Sequence, residues 1–492
     1  MEAFLHPLQG LAEFGEIKKR CGANCGILNV SGCMESQKVH LMYGLSGLFP
    51  CHLILADDER NAKEIYEDYR FYDKNVYFYP AKDLLFFQAD IHGNLLIRQR
   101  MRVIRALLEQ EEVTVVTSID GCMDFLMPLE KIKSSLLHFK SDSVIDLDQL
   151  KADLVDLGYE RVGQVELPGQ FSVRGGIIDI YPLTEENPWR IELWDDEIDS
   201  IRSFDAESQR SLENIDEITI YPATEKMDCE DMVSFLDYFP EEKTLLFLDE
   251  LNHLAENGEG VEEEYRQSRM HREEKGEANL PEQWLCGFQE VQKKLNRRNC
   301  VAVSALSPRR SGWKINEEFD LTVKSVDSYN SSFELLVKDL LQYKSQGYRI
   351  ALLSGSRTRA ERLAKDLSEE GLNAFYRQDT DRIISPGEIM VVYGHARRGF
   401  QYPLIKFAVM TETDIFGKEQ KKRKKKKKYS GNRIQDFAEL SIGDLVVHEK
   451  HGLGIYRGIE KVEVDRVVKD YIKIEYRGGS NLYILATQLD AL

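Results

Sequence analysis

The stretch Gly44-Leu45-Ser46-Gly47-Leu48-Phe49-Pro50-Cys51 leads into the apolar run Leu53-Ile54-Leu55, and the acidic pair Asp57-Asp58 follows. Nucleotide-binding cores hold phosphate in a glycine loop that lies beside a buried strand and an oncoming helix. We therefore predict that this stretch belongs to the phosphate-loop scaffold of an α/β domain.

The residues that give a phosphate loop its chemistry are missing from this stretch. If Gly44 and Gly47 take the positions of the loop glycines, the lysine position is Pro50 and the position of the magnesium-binding hydroxyl is Cys51. Proline carries no charge and no backbone N–H. The sequence thus predicts a degenerate nucleotide loop, with no catalytic residue and no cofactor in this chain.

Length and composition describe a protein of three or more domains. The chain has 492 residues, of which 42% are hydrophobic and 30% charged, and its formal net charge is −19. We find no apolar run of the ~18 residues that a membrane span needs and no signal peptide at the first residues, so we expect a cytoplasmic protein without membrane contact.

No metal site is expected. The eight cysteines lack the paired spacing of zinc ligands, which indicates buried, reduced thiols. The stretch His448-Glu449-Lys450-His451 is superficially similar to a zinc-protease helix, but its histidines are one residue too close and lie in a strand context.

Hydrophobic periodicity predicts a multidomain α/β fold. Short apolar runs such as Val76–Tyr79 and Val113–Thr117 alternate with helical patterns such as 59–72, which is typical of a parallel sheet. Residues 170–182 and 190–198 instead alternate with period two, which indicates an inserted antiparallel sheet.

Changes of composition and periodicity divide the chain into six predicted segments. They are a degenerate α/β domain at 1–119, an inserted α+β domain at 120–212, the second part of the α/β module at 213–325, a further α/β domain at 326–416, a basic linker at 417–433, and a small β-barrel of five short strands at 434–492.

Two charged features allow more than one interpretation. The run Thr244–Asp249 followed by Glu250 has the form of a magnesium-binding strand end, but a buried strand also often ends in acidic residues. The unbroken basic run Lys421–Lys428 is either a solubilising linker or a non-specific contact to nucleic-acid phosphate.

Four stretches together resemble the transcription-repair coupling factor family, whose first part is similar to the excision-repair subunit UvrB. These stretches are Tyr79-Pro80-Ala81-Lys82-Asp83, 169–182, 192–211 and 443–456. The resemblance covers essentially the whole chain. The resemblance implies that one further stretch is a changed form of UvrB's Asp-Glu-Ser-His motif, with two positions altered. That stretch is Asp249-Glu250-Leu251-Asn252-His253. UvrB also carries an aromatic hairpin for damaged DNA, and we expect no room for it between Tyr79 and the next helix.

The resemblance implies two protein partners. In the UvrB-like insert, Arg161, Phe171 and Arg174 correspond to a surface that binds the repair protein UvrA, although Ser172 replaces a further arginine. The C-terminal barrel resembles a CarD-like module that binds the β subunit of RNA polymerase, and we assign that contact to Ile459, Val462 and Val464.

We interpret the chain as a non-catalytic adaptor between stalled RNA polymerase and UvrA. Longer members of the family are ATP-dependent DNA translocases, so we expect ATP, magnesium and double-stranded DNA to bind a motor that this chain lacks. Whether the chain is a natural fragment or a truncated protein stays open. The alternatives are a UvrB-like damage-binding ATPase or helicase and a stand-alone CarD-like transcription regulator.

Overall fold

The computed structural model describes residues 1–22, 25–82, 94–141, 143–225, 231–275, 285–308, 312–417, 442–448, 452–464, 467–475 and 481–485. Its described residues form two compact units, the first from 1–81, 110–125 and 234–417, and the second from 82–109, 126–233 and 442–485. Within the described ranges, no helix is both long enough and apolar enough to span a membrane.

Helices and strands alternate in the N-terminal part of the chain. They are α1 (Glu2–Leu8), α2 (Ala12–Arg20), β1 (Ile27–Ser31), α3 (Glu35–Ser46), β2 (Cys51–Ala56), α4 (Glu59–Tyr72), β3 (Val76–Tyr79), α5 (Asn94–Glu109), β4 (Val113–Ser118) and α6 (Ile119–Cys122). The insert follows with β5 (Phe125–Leu126), α7 (Leu129–Ser134), β6 (Leu137–Lys140), α8 (Leu147–Asp156), β7 (Glu160–Arg161), β8 (Gln170–Arg174), β9 (Ile177–Ile180), β10 (Trp189–Trp194), β11 (Glu197–Phe204), β12 (Ser211–Asn214) and β13 (Glu217–Ile220).

The α/β pattern resumes after the insert. Its elements are β14 (Val233–Ser234), two 3₁₀ turns (Phe235–Tyr238 and Glu241–Lys243), β15 (Thr244–Asp249), α9 (Leu251–Lys275), α10 (Phe288–Leu295), β16 (Cys300–Val303) and β17 (Ile315–Asp320). A further set comprises β18 (Lys324–Ser325), α11 (Phe333–Ser345), β19 (Arg349–Ser354), α12 (Arg357–Glu369), β20 (Asn373–Arg377), β21 (Glu388–Tyr393), β22 (Phe400–Tyr402), β23 (Phe407–Thr411) and α13 (Glu412–Phe416).

A seven-stranded sheet with only parallel pairs forms the centre of the first unit. Its strand order is β17-β1-β16-β15-β2-β4-β3. This confirms the prediction of a parallel sheet. Because β16 lies between β1 and β15, with Val303 in register with both Val30 and Asp249, the carboxyl ends of these three strands meet at one edge.

A second sheet of the first unit has the order β18-β22-β23-β19-β21-β20, in which the last four strands are parallel. Helix α3 packs in a core that also contains residues of both sheets, such as Val301 and Val392. It is buried on nearly all its faces, with Val39, Leu41 and Leu45 completely inaccessible. A helix that is enclosed in this way is stabilised by packing between layers, provided that its buried polar groups have partners.

The insert contains a six-stranded sheet in the order β12-β11-β10-β9-β8-β7, antiparallel except for the short pair β7–β8. Helix α5 belongs to the same compact unit. Arg98 of α5 donates to the Glu185 carbonyl at 2.9 Å, and Arg105 forms an ion pair with the Glu185 carboxylate. The predicted domain boundaries at 119 and 212 stay predictions.

The described C-terminal residues form a four-stranded antiparallel sheet in sequence order, β24 (Leu445–His448), β25 (Gly452–Val464), β26 (Val467–Glu475) and β27 (Asn481–Leu485). The prediction of five short strands is wrong in the described residues. Two predicted strands are one long strand, β25, because a register shift between Tyr456 and Ile459 bends it without ending it. Gly458 adopts a φ of +101° at this bend.

Candidate functional site

The predicted phosphate loop lies at the wrong end of a helix. Gly44 is inside α3 and Gly47 directly follows it, so the stretch runs from a helix into β2 rather than from a strand into a helix. A Cβ atom on Gly44 would lie 2.5 Å from Leu8 and 3.1 Å from Phe14, which explains a glycine within this helix. The carboxyl end of a helix repels phosphate. Our assignment of Gly44, Gly47, Pro50 and Cys51 to a nucleotide loop is therefore wrong.

The strand–loop–helix unit that suits a phosphate loop is β1 followed by α3. Its residues Gly32-Cys33-Met34-Glu35-Ser36-Gln37-Lys38-Val39 align with the eight-residue phosphate-loop pattern. The first glycine and the lysine are kept as Gly32 and Lys38. Gln37 replaces the second glycine, and Val39 replaces the magnesium-binding hydroxyl. The sequence signal that would have revealed this loop is a glycine six residues before a lysine, directly after the buried strand at 27–31.

Lys38 forms two ion pairs with the carboxylates at the end of β15. Its Nζ lies 2.7 Å from Asp249 Oδ1 and 2.6 Å from Glu250 Oε1. The three side chains are only 11%, 3% and 20% exposed, respectively. In an active phosphate loop the lysine reaches the β- and γ-phosphates and the strand-end aspartate holds magnesium. Here the cation neutralises these carboxylates directly.

Further hydrogen bonds fix the two carboxylates. Asn61 donates to Asp249 Oδ2 at 2.7 Å, and the backbone N–H of Ala305 donates to Glu250 Oε1 at 2.8 Å. Burial raises the pKa of Asp249, although Lys38 and Asn61 oppose that shift. Burial disfavours the ammonium of Lys38, but Asp249 and Glu250 outweigh it and raise the pKa of Lys38. We refer to Lys38, Asp249 and Glu250 as the ion triad.

The backbone donors of the β1–α3 loop are also engaged. Gly32 N–H donates to the Ala305 carbonyl at 3.2 Å, and Cys33 N–H donates to the Ser304 carbonyl at 3.1 Å. Met34 N–H donates to Gln37 Oε1 at 3.0 Å. A phosphate loop works because its N–H groups converge on the anion. In this loop these three donors have partners within the protein.

A buried polar chain extends behind the loop. Gln37 Nε2 donates to the Tyr402 hydroxyl at 2.9 Å, and that hydroxyl lies 3.1 Å from His40 Nδ1. His40 Nε2 lies 3.0 Å from the Phe4 carbonyl, which can only accept, so Nε2 carries the proton and Nδ1 accepts from Tyr402. Burial lowers the pKa of His40 to about 4. The imidazole is therefore neutral at pH 7.

In the insert, Arg174 and Arg190 share one buried carboxylate. Arg174 Nη2 donates to Asp179 Oδ2 at 2.6 Å, and Arg190 binds both oxygens of Asp179 at 2.6 and 2.9 Å. The Asp179 side chain is 1% exposed, whereas that of Arg174 is 47% exposed. Arg174 is thus held by a fixed anchor and still presents donors for a partner's carboxylate.

The other two predicted residues of this site lie elsewhere. Phe171 is completely buried, so the prediction that its side chain contacts a partner is wrong, and its role is in the core. Arg161 is exposed at the edge strand β7 and is in register with Phe171. Since paired residues share a face and side chains alternate along a strand, Arg161 and Arg174 lie on opposite faces of the sheet. The structure does not bring the three residues together.

In the C-terminal sheet, β25 contains all three residues predicted to bind the polymerase. Val462 is in register with Lys469 and Val464 with Val467, where β25 ends and β26 begins, while Ile459 is 36% exposed. A more exposed apolar set, which the sequence pattern did not reveal, lies at the other end of the sheet. Leu445, Val447 and Leu453 are 69%, 38% and 55% exposed.

Among the described residues, no group of three or more His, Cys, Asp or Glu side chains is arranged to hold a metal ion. Part of the stretch at 448–451 lies outside those residues, as do the basic run at 421–428 and residues 83–93, where we expected no aromatic hairpin. The cysteines that the structure describes are free thiols, and most of them are buried.

Two parts of the chain match known domain families. Residues 137–225 match the UvrB interaction domain, and residues 440–492 match the CarD-like/TRCF RID domain. The first match contains Arg174 and its Asp179 anchor, and the second contains all four C-terminal strands.

Curated relatives extend the similarity beyond these two domains. The transcription-repair-coupling factor of Bacillus subtilis (strain 168) is 29% identical over 94% of this chain. The chain resembles transcription-repair-coupling factors. Those of Staphylococcus aureus (strain MRSA252) and Staphylococcus epidermidis are each 27% identical over 85% of the chain. These matches confirm the resemblance that the sequence motifs indicated.

The chain spans less than half the length of the transcription-repair-coupling factors that it matches. It covers 45% of the Bacillus subtilis protein and 40% of each staphylococcal protein. The similarity therefore concerns one part of a longer architecture, and the activity of the whole relatives belongs to the proposal below.

Proposed function

We propose that this chain is the adaptor part of a transcription-repair-coupling factor. It docks on RNA polymerase stalled at DNA damage through the C-terminal sheet and recruits UvrA through the insert. The observation that carries the proposal is that one chain contains both a UvrB interaction domain and a CarD-like/TRCF RID domain. In this proposal the C-terminal sheet is part of a small barrel, and the protein acts in the cytoplasm.

The proposal assigns no ATP turnover to the first unit. Lys38, which would bind phosphate, is engaged by Asp249 and Glu250, and Val39 offers no hydroxyl for magnesium. This geometry opposes a UvrB-like ATPase or helicase. We assign ATP, magnesium, double-stranded DNA and translocation to a motor outside residues 1–492. A stand-alone CarD-like regulator is opposed by the similarity across 94% of the chain.

A bridging experiment tests the adaptor function. The immobilised polymerase β subunit should retain UvrA only when the 492-residue chain is added. Arg174→Ala should release UvrA but leave the chain on the β subunit, because truncating an arginine hot spot weakens binding by about 2 kcal/mol or more. Asp179 keeps its bidentate bond to Arg190 in this variant, so the sheet should stay folded.

Arg210→Ala is the matched control, since Arg210 is another exposed arginine of the insert. It should retain UvrA like the parent chain. If UvrA is not retained by the parent chain, or is retained equally by Arg174→Ala, the proposed use of this surface is wrong. Arg161→Ala then decides whether the opposite face of the sheet makes the contact.

A further inference from the structure

The tip of the β10–β11 hairpin carries an unusually exposed tryptophan. Trp194 is 80% exposed, whereas Trp189 on the same strand is 7% exposed and Trp313 is 5% exposed. Tryptophan is among the residues that contribute most to binding when a partner covers them. An indole that the protein leaves in water, at the end of a hairpin, is therefore a candidate anchor for a partner.

Strand pairing places other exposed residues beside Trp194. Trp194 is in register with Glu197 across the hairpin, and Glu197 forms a bridge with Val144. Val144 is 70% exposed. Because directly paired residues share a face, the three side chains form one row with an acidic centre and an apolar residue on each side. The Ile145 N–H donates to the Asp196 carbonyl at 2.7 Å and joins this segment to the hairpin.

The tip is acidic, like the whole matched domain. Asp195, Asp196, Glu197 and Asp199 are all exposed, and within the described part of the chain no cationic side chain lies within ion-pair distance of their carboxylates. Residues 137–225 contain 21 acidic and 7 basic residues, a net charge of −14 out of −19 for the chain. A surface of this charge attracts a basic protein and repels nucleic-acid phosphate or a second acidic copy.

The tip continues the surface that contains Arg174. Trp194 and Glu192 lie on the same face of β10, and Ile177 of β9 is in register with both Glu192 and Arg174. By strand spacing, the Cα atoms of Trp194 and Arg174 are roughly 12 Å apart. One partner of ordinary interface size can contact both residues.

We propose that the Trp194 tip, defined as Val144 and residues 194–199, is the main anchor for the repair partner of the insert. The partner contributes a basic surface with an apolar pocket that receives the indole. This inference rests on the proposed function, because it names UvrA as that partner. It assigns the largest contribution to an aromatic residue at the hairpin tip and a smaller one to the arginine.

Titration of UvrA into the 492-residue chain tests the anchor. Trp194→Ala should weaken binding by about 30-fold or more, the typical loss at an aromatic hot spot. Trp194→Phe should retain part of the affinity. Leu212→Ala is the control, because Leu212 is 53% exposed on the edge strand β12, which pairs with the end of β11 remote from the hairpin tip. It should bind within about twofold of the parent chain.

Fluorescence gives a second readout that a merely structural role would not change. The difference between parent and Trp194→Phe spectra isolates the indole, which should become less accessible to acrylamide and shift to shorter wavelength when UvrA binds. Asp196→Asn with Glu197→Gln should weaken binding and reduce its salt dependence, since rim charges set the electrostatic attraction.

The outcomes separate this inference from the proposed function. If UvrA binds the parent chain and Trp194→Ala equally well, the anchor is wrong while the adaptor function stands. If UvrA does not bind the parent chain, both are wrong. If DNA or a second copy of the chain protects Trp194 and UvrA does not, the occupant that we assign is wrong.

Discussion

Replacing Lys38 with methionine should destabilise the first unit by about 3 kcal/mol. Methionine fills a similar volume, so the main effect is the loss of the cation that neutralises Asp249 and Glu250. Breaking a buried ion pair by removing one partner costs about 3–5 kcal/mol, because a buried charge is left uncompensated. We expect the lower end of this range, since Asp249 keeps its bond to Asn61 and Glu250 keeps its bond to Ala305.

Two further variants test the cause of the effect. Lys38→Met combined with Asp249→Asn should recover much of the lost stability, because the second change removes the more deeply buried carboxylate. Lys365→Met is the matched control. Lys365 lies on α12 of the same unit and pairs with Glu369, with side chains 76% and 67% exposed, so its loss should cost less than about 1 kcal/mol.

The pH dependence gives a signature of the ion triad. Burial already raises the pKa of Asp249, and removal of Lys38 should raise it further. An acid whose pKa is higher in the folded than in the unfolded state binds its proton more tightly when folded, so lower pH favours folding. The deficit of Lys38→Met relative to the parent chain should therefore be smaller at pH 5 than at pH 7.

Urea denaturation, with hydrogen exchange at β1 and β15 as a local probe, measures these differences. A loss below about 1 kcal/mol for Lys38→Met, equal to that of Lys365→Met, would show that the ion triad does not stabilise the core.

Calorimetry of the parent chain with Mg-ATP should give no binding heat. A micromolar, magnesium-dependent isotherm that Lys38→Met abolishes would refute the assignment of Lys38 to an internal role.

Two further predictions concern His40 and the polymerase contact. Because the pKa of His40 is about 4 when folded and about 6.5 when unfolded, stability should fall as pH drops from 6.5 to 4, by about 2 kcal/mol at pH 5. His40→Gln should remove this pH dependence in urea titrations, whereas His138→Gln, at an exposed site, should keep it. Val462→Arg should abolish retention on the polymerase β subunit without lowering Tm. If Leu453→Arg releases the chain and Val462→Arg does not, the contact lies on the exposed apolar face near β24.

Local sequence patterns correctly predicted those helices and strands whose own residues carry a clear signal. The prediction of a helix at 59–72 matches α4, because Ile65, Tyr69 and Tyr72 recur at helical spacing. The structure adds that Asp58 caps the first turn of this helix. Strand β3 was likewise predicted at Val76–Tyr79. Helix α4 buries one face and leaves another in water, and β3 is a short run of apolar residues, so the residues of each element carry its signal.

Helix α3 was not predicted in this way, because the protein surrounds it and leaves almost no face of the helix exposed to water. Its buried residues surround the axis, and its glycine, which packs against Leu8 and Phe14, resembled a loop residue. Because α3 was not predicted, the loop before it was not recognised as a phosphate loop, and Lys38 was not identified as its lysine. The contact of Lys38 with Asp249 joins residues 211 positions apart, and no local pattern predicts such a pair.

Under the proposed function, which assigns no ATP turnover to the first unit, the ion triad explains why parts of a nucleotide site persist there. Asp249 ends a completely buried strand and Glu250 follows it, so their charges need a compensating cation whether or not magnesium binds. Gln37 and Val39 stand where a phosphate loop has residues that contact only the ligand. The loss of those ligand-binding residues leaves no buried charge without a partner. Lys38 cannot be lost without cost while the two carboxylates remain. An aspartate–glutamate pair at a strand end, even with a loop lysine, is therefore insufficient to indicate ATP hydrolysis. The position that distinguishes an ATPase from this chain is that of the magnesium-binding Ser or Thr, which is Val39 here.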